Sequence, residues 1–165
     1  MVQVRVIGLA LDSRSQPVIL LKPILEEAGS GTMLPIWIGA QEATSIFIAV
    51  EGEQAPRPLA HDLMKTLLET VGAEVERVEV TKIEGGTFYA EITLRTREGR
   101  RIVDARPSDS IALAARVDAP IWVADEVLEE AGIADETEGP HEDEEAKLAE
   151  FKRFLEEVDP EDFQG

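Results

Sequence analysis

The chain has no cysteine. Disulfides, thiolate metal sites and cysteine catalysis are excluded with it. No apolar run approaches the roughly 18–20 residues that span a bilayer. Met1–Ile7 alternates as a strand does and lacks a signal-peptide pattern, so a cytoplasmic protein with no membrane partner is expected. Basic residues are also short: 16 Lys and Arg stand against 34 Asp and Glu, a net charge of −18. More than half of that excess lies in residues 135–165, which hold 13 acidic and 3 basic side chains. Residues 1–134, with 21 acidic and 13 basic, remain acidic. Such a surface disfavours non-specific binding to nucleic acid, so a role of that kind needs a local positive patch or metal ions.

What is present suffices for one domain with an appendage, because 165 residues at 44% apolar content can bury a good core. Val2–Leu11 alternates and reads as a strand, Asp12–Gln16 as a turn and Pro17–Leu21 as its hairpin partner. A polar loop over 26–32 leads to a strand over 33–38. Helical spacing of apolar residues marks 41–50 and 61–71, the second stopped by Gly72. Strands follow over 73–80, 87–97 and 100–103, turned at Glu84-Gly85-Gly86 and Glu98-Gly99. A helix over 108–116, an extended piece over 120–123 and a helix over 125–131 that stops at Gly132 complete the body. Residues 134–145 read as an acidic linker, and 146–158 as an amphipathic helix too short to stand alone. That helix is expected to dock on its own or a neighbouring subunit. The domain thus covers 1–133, with the helix and tail in 146–165.

The two halves resemble each other. Ile38–Ile46 aligns with Val103–Ile111 at a constant offset of 65, and Leu67–Gly72 resembles Val127–Gly132. Two β-β-β-α-α copies sharing one curved sheet, with helices outside, give a mixed α/β (α+β) fold in which neither copy buries a core alone.

The densest polar feature is Asp104–Ser110, where a strand meets a helix that opens on Pro107, a residue suited to the first turn. Asp104, Arg106, Ser108 and Asp109 crowd this corner. Either an ion pair of Arg106 with Asp104 or Asp109 fixes it, or it belongs to a site. A weaker reading is small-anion binding at the Ser108–Ser110 helix start.

Four stretches carry a family resemblance: Leu34–Gly39 with Glu42-Ala43, Arg57–Leu63, Gly86–Ala90 and Arg106–Ala112. In that order and spacing they resemble the bifunctional nuclease family across about residues 2–133, in its bacterial form. Ala60 departs from the pattern, in which many members place Thr before the His-Asp pair. The resemblance implies a duplicated mixed fold, self-association as a homodimer or larger homo-oligomer, and cleavage of DNA and RNA.

Phosphodiester hydrolysis needs an activated water and positive charge at the phosphate. Among residues within the matched motifs, His61, Asp62, Arg106 and Asp109 are the catalytic candidates, and Asp62, Asp104 and Asp109 the candidate ligands of Mg²⁺, the candidate cofactor. Arg57 and Ser108 are candidate substrate contacts. Arg95, Arg97, Arg100 and Arg101, flanking one hairpin turn, form the only basic cluster and the best candidate for holding DNA or RNA phosphates. The alternatives are plain ones: His61-Asp62 as a helix cap, Glu42 as a first-turn helix residue, the arginines as a solvated face, and Trp37 and Trp122 as core or subunit contacts. No His-x-His, Asp-x-Asp or Walker pattern is present. The rival function is a non-enzymatic, oligomeric interaction or regulatory module.

Overall fold

A computed structural model describes residues 1–136 and 149–153. Eight strands and four helices follow in the order β1 (Val2–Leu11), β2 (Pro17–Pro23), β3 (Thr32–Trp37), α1 (Ala40–Val50), α2 (Ala60–Thr70), β4 (Glu74–Glu84), β5 (Thr87–Thr96), β6 (Gly99–Ala105), α3 (Pro107–Val117), β7 (Ile121–Val123), α4 (Asp125–Ala131) and β8 (Ile133–Ala134). Residues 149–153 are helical. All strands join one sheet, ordered β6-β5-β4-β7-β1-β2-β3-β8. Every neighbouring pair is antiparallel except β4 with β7.

The mixed α+β class is as the sequence implies, and each half runs β-β-β-α-α. The second half adds β7 between its helices. That strand lies between β4 and β1 and so knits the two meanders into one sheet. One apolar cluster takes Ile19, Leu21, Leu34, Ile36 and Ile46 from the first half and Val78, Val80, Ile111, Val123 and Val127 from the second. At about 25 cal/mol per Å² of apolar area, this shared burial stabilises the halves only as a pair.

The helix starts follow local chemistry. Pro107 opens α3 behind an extended Arg106 (φ −73°, ψ 145°), where its missing N–H costs nothing. Asp62 accepts the Leu59 N–H at 2.8 Å, which caps the start of α2. Gly72 adopts φ +72° just past α2, the left-handed stop its position predicts. Gly132 differs, with φ −68°. Any Cβ there would collide with the Leu128 carbonyl oxygen and come within 2.7 Å of Thr32 Cγ2. Glycine is needed at 132 for close approach of α4 to β3, not for a left-handed cap.

Four expectations change. β4 continues to Glu84 instead of ending at Val80, because Ile83 pairs with Phe88 across the hairpin. Ala134, read as the first linker residue, belongs to β8 and pairs with Thr32. Asp135, read as linker, is buried. Trp37 is not core: it is 56% exposed and its indole N–H donates to Asp12 Oδ2 at 2.9 Å. Residues 137–145 of the linker, His141 among them, and most of the C-terminal helix expected over 146–158 lie outside the described residues. Phe151 does dock within the chain, buried on Ala43 and Phe47 with its ring centroid 5.3 Å from that of Phe47.

Candidate active site

The first turns of α1, α2 and α3 converge on one polar chain. His61, one residue into α2, is 5% exposed. Its Nδ1 lies 2.6 Å from Ser45 Oγ on α1, and its Nε2 lies 2.8 Å from Asp109 Oδ1 on α3. A carboxylate only accepts, so Nε2 carries the proton towards Asp109. The other Asp109 oxygen accepts from Arg106 Nε at 2.9 Å. Arg106 Nη2 continues to Glu42 Oε1 at 2.9 Å. Ser45, His61, Asp109, Arg106 and Glu42 therefore form one hydrogen-bonded relay, buried at Ser45 and open at Arg106, whose side chain is 66% exposed.

Burial by itself raises the Asp109 carboxyl, but the hydrogen bonds and charges of Arg106 and His61 outweigh it, and the group lies below its usual range. Asp109, then Glu42, hold the Arg106 guanidinium above its ordinary value. Asp62 behaves like Asp109. Burial raises it, while the Arg116 hydrogen bond and the Leu59 N–H lower it further.

His61, Arg106 and Asp109 are thus brought together, joined by Glu42. Asp62 is not with them. Its Oδ1 accepts from Arg116 Nε at 2.7 Å, so consecutive residues of α2 serve different neighbours. Asp104 also stands apart. It is exposed on β6, opposite Glu91 of β5, and Arg106 pairs with Asp109 instead. Ser108 is buried in the first turn of α3, withdrawn from any substrate. Arg57 is exposed on the segment entering α2 and makes no ion pair among the described residues. In the hairpin, Arg95 pairs with Glu74, Arg100 with Glu76 through two nitrogens, and Arg101 with Glu98. Most of that basic cluster is neutralised by its own neighbours. Arg97, beside Gly72, has no carboxylate partner among the described residues.

The named ligand set does not fit a metal. No group of three or more His, Asp or Glu side chains suited to an ion occurs among the described residues. Asp62 and Asp109 are each committed to an arginine, and Asp104 lies on another element.

Two polar residues escaped the sequence reading. Ser45 anchors the relay's inner end, and the duplication held the signal: at the offset of 65 it aligns with Ser110, each preceding a buried isoleucine. Arg116, in the last turn of α3, is buried with one guanidinium nitrogen lacking a described partner. No local pattern distinguishes it from a solvated arginine.

A family model described as the bifunctional nuclease domain matches residues 23–136. An uncharacterized protein of Mycobacterium tuberculosis is 41% identical over 172 aligned residues, covering 99% of this chain and 98% of that protein. Bifunctional nuclease 1 of Arabidopsis thaliana is 32% identical over 115 residues, 68% of this chain and 34% of its own length. Bifunctional nuclease 2 of Oryza sativa subsp. japonica is 32% identical over 116 residues, with the same coverages. The chain therefore spans about a third of the plant relatives it matches. No helix among the described residues is long and apolar enough to cross a membrane.

Proposed function

This chain belongs to the bifunctional nuclease domain family, and from that premise we propose that it hydrolyses phosphodiester bonds of DNA or RNA where α1, α2 and α3 begin. The observation that carries this reading is the relay from buried Ser45 to exposed Arg106. Arg106 uses Nε and Nη2 internally, and its remaining N–H groups are free to meet a phosphate. Its pairs with Asp109 and Glu42 hold the guanidinium in one pose before substrate arrives, which lowers the ordering cost of binding. Arg57, exposed on the segment that leads into α2, supplies a second phosphate contact. Asp109, with a quarter of its side chain exposed, accepts from the attacking water. His61 has both ring nitrogens engaged, so it acts as a positioning residue that fixes Asp109 and donates to it.

Two carboxylates flank one guanidinium, which opposes a phosphate by Coulomb repulsion. Three helix N-termini offset part of it. Mg²⁺ would offset the rest, but the described residues gather no ligand set for it, and no step here runs through a metal.

The test is cleavage of single- and double-stranded DNA and RNA by highly purified protein, with Mg²⁺, with Mn²⁺ and with a chelator. Wild type should cleave, and Arg106→Gln should lose about 10²-fold in rate while its thermal unfolding stays cooperative. Equal activity in folded Arg106→Gln would remove this corner from the chemistry. No cleavage under any condition would favour the interaction module instead, a reading supported by the exposed Leu63 and Leu67 on α2 and Val71 just after it.

A further inference from the structure

Trp37 ends β3, and its direction follows from the alternation of that strand. Leu34 and Ile36 point into the shared core, so Trp37 points to the opposite face of the sheet, beside Val18 of β2. Among the described residues it is the only aromatic side chain left strongly exposed. The ring is nevertheless held. Its indole N–H donates to Asp12 Oδ2, and Asp12 Oδ1 accepts the Arg14 and Gln16 N–H groups at 2.8 and 2.9 Å. A hydrogen bond through the ring edge fixes the plane and leaves the π-face without a hydrogen-bonding task. The pose is therefore set before any ligand arrives, which lowers the ordering cost of a contact.

The ring also stands near the candidate active site. Gly39, two residues further on, precedes α1, and any Cβ there would collide with Glu42 Oε2. Two residue steps span at most about 7 Å, so the Trp37 Cα lies within roughly 11 Å of that carboxylate. The other oxygen of Glu42 accepts from Arg106 at 2.9 Å. Trp37, Arg57 and Arg106 thus lie on the three segments that lead into α1, α2 and α3. An aromatic platform beside guanidinium groups suits unpaired nucleotides, with a base on the ring and phosphates on the cations.

We propose that Trp37 is a base-stacking residue that holds an unpaired nucleotide close to the phosphate met by Arg106. This rests on the nuclease reading and narrows its substrate to single-stranded DNA or RNA. A duplex keeps each base face covered by its neighbours, whereas a splayed base of a single strand can lie on the indole. Every base has a π-face, so the contact carries little sequence preference. Stacking also suits an acidic protein. The net charge of −18 opposes phosphates, and Arg95, Arg100 and Arg101 are paired with Glu74, Glu76 and Glu98. A stacked base adds affinity without drawing on Coulomb attraction. Asp12 lies at the edge of the ring and not over its face, so its carboxylate does not occupy the platform.

The chain has two tryptophans, so Trp122→Phe leaves Trp37 as the sole indole reporter. Titrating this full-length variant with a phosphorothioate oligothymidylate, which resists cleavage, should quench Trp37 emission. A hairpin duplex of equal length should not. Trp37→Ala should weaken binding of the single strand at least about fivefold, read by anisotropy of an end label. Trp37→Phe keeps a ring and should restore most of it. The salt slope of Trp37→Ala should match wild type, since no phosphate contact is lost. On an abasic oligonucleotide the two proteins should bind alike, because the partner of the ring is gone. Binding with Trp37 unquenched, equal quenching by the duplex, or the same loss on the abasic strand would each overturn the stacking role and leave the nuclease reading standing. Quenching by a natural single strand that is never cleaved would overturn the nuclease reading alone. No binding of any strand would overturn both. Circular dichroism of each variant separates lost binding from unfolding.

Discussion

At the residue scale, Asp109 matters most, because it joins a buried histidine to an exposed arginine. Asp109→Asn keeps the shape but removes the charge that both neighbours use. Hydrogen bonds to charged groups contribute about 1.5–3 kcal/mol, so a urea titration should show a loss of about that size. The pH dependence follows from the same group. The folded carboxyls of Asp109 and Asp62 lie below the ordinary 3.8. Their stabilisation is therefore fully present above that value and is lost as pH falls through the depressed folded values. The urea midpoint should be level down to about pH 5 and should drop below about pH 4. Asp109→Asn should flatten the drop. An unchanged acid limb in that variant would mean other carboxylates govern it.

At the element scale, the C-terminal end of the domain is fastened by an ion pair that no short motif announces. Lys22 on β2 is fully buried and donates to Asp135 Oδ2 at 2.8 Å and to the Ser30 carbonyl. Asp135 also accepts the Gly29 N–H at 2.9 Å. Removing Asp135 leaves buried Lys22 with only Glu26 Oε2, at 3.9 Å, as counter-charge, at a cost of about 3 kcal/mol. Asp135→Ala should lose stability on that scale by urea denaturation. Adding Lys22→Met should recover part of it, since an apolar side chain needs no counter-ion. Strictly additive losses would show that the pair does not act as a unit. The strap holds β8 on β3, which explains why one sheet edge is closed while β6 is open.

At the scale of the whole molecule, the charge of −18 opposes any polyanion, so binding has to be local. Arg57 and Arg106 are the proposed phosphate contacts, while the hairpin arginines largely serve Glu74, Glu76 and Glu98. Each phosphate contact adds about 0.7–0.9 to the slope of log affinity against log salt. Removing Arg106 should lower the slope by about that amount in a fluorescence titration with single-stranded DNA. Arg95→Gln should change it little, because its partner is already a carboxylate. A larger effect at Arg95 than at Arg106 would move the binding face to the hairpin.

The sequence by itself determined the order of the elements as far as α4, the duplication, the absence of cysteine chemistry and the family. These depend on local spacing: a strand alternates in twos, a helix repeats near every fourth residue, and glycine and proline mark the turns. It also placed His61, Arg106 and Asp109 among the candidates, since they lie within matched motifs. Tertiary structure alone decided which of these meet. Ser45, His61 and Asp109 come from three helices, and only the packing of α1 and α2 on α3 brings them within hydrogen-bond reach. Similarly, nothing in the apolar spacing of α2 tells a buried stripe from an exposed one. Exposure depends on what lies across from the helix, and that is a property of the assembled sheet.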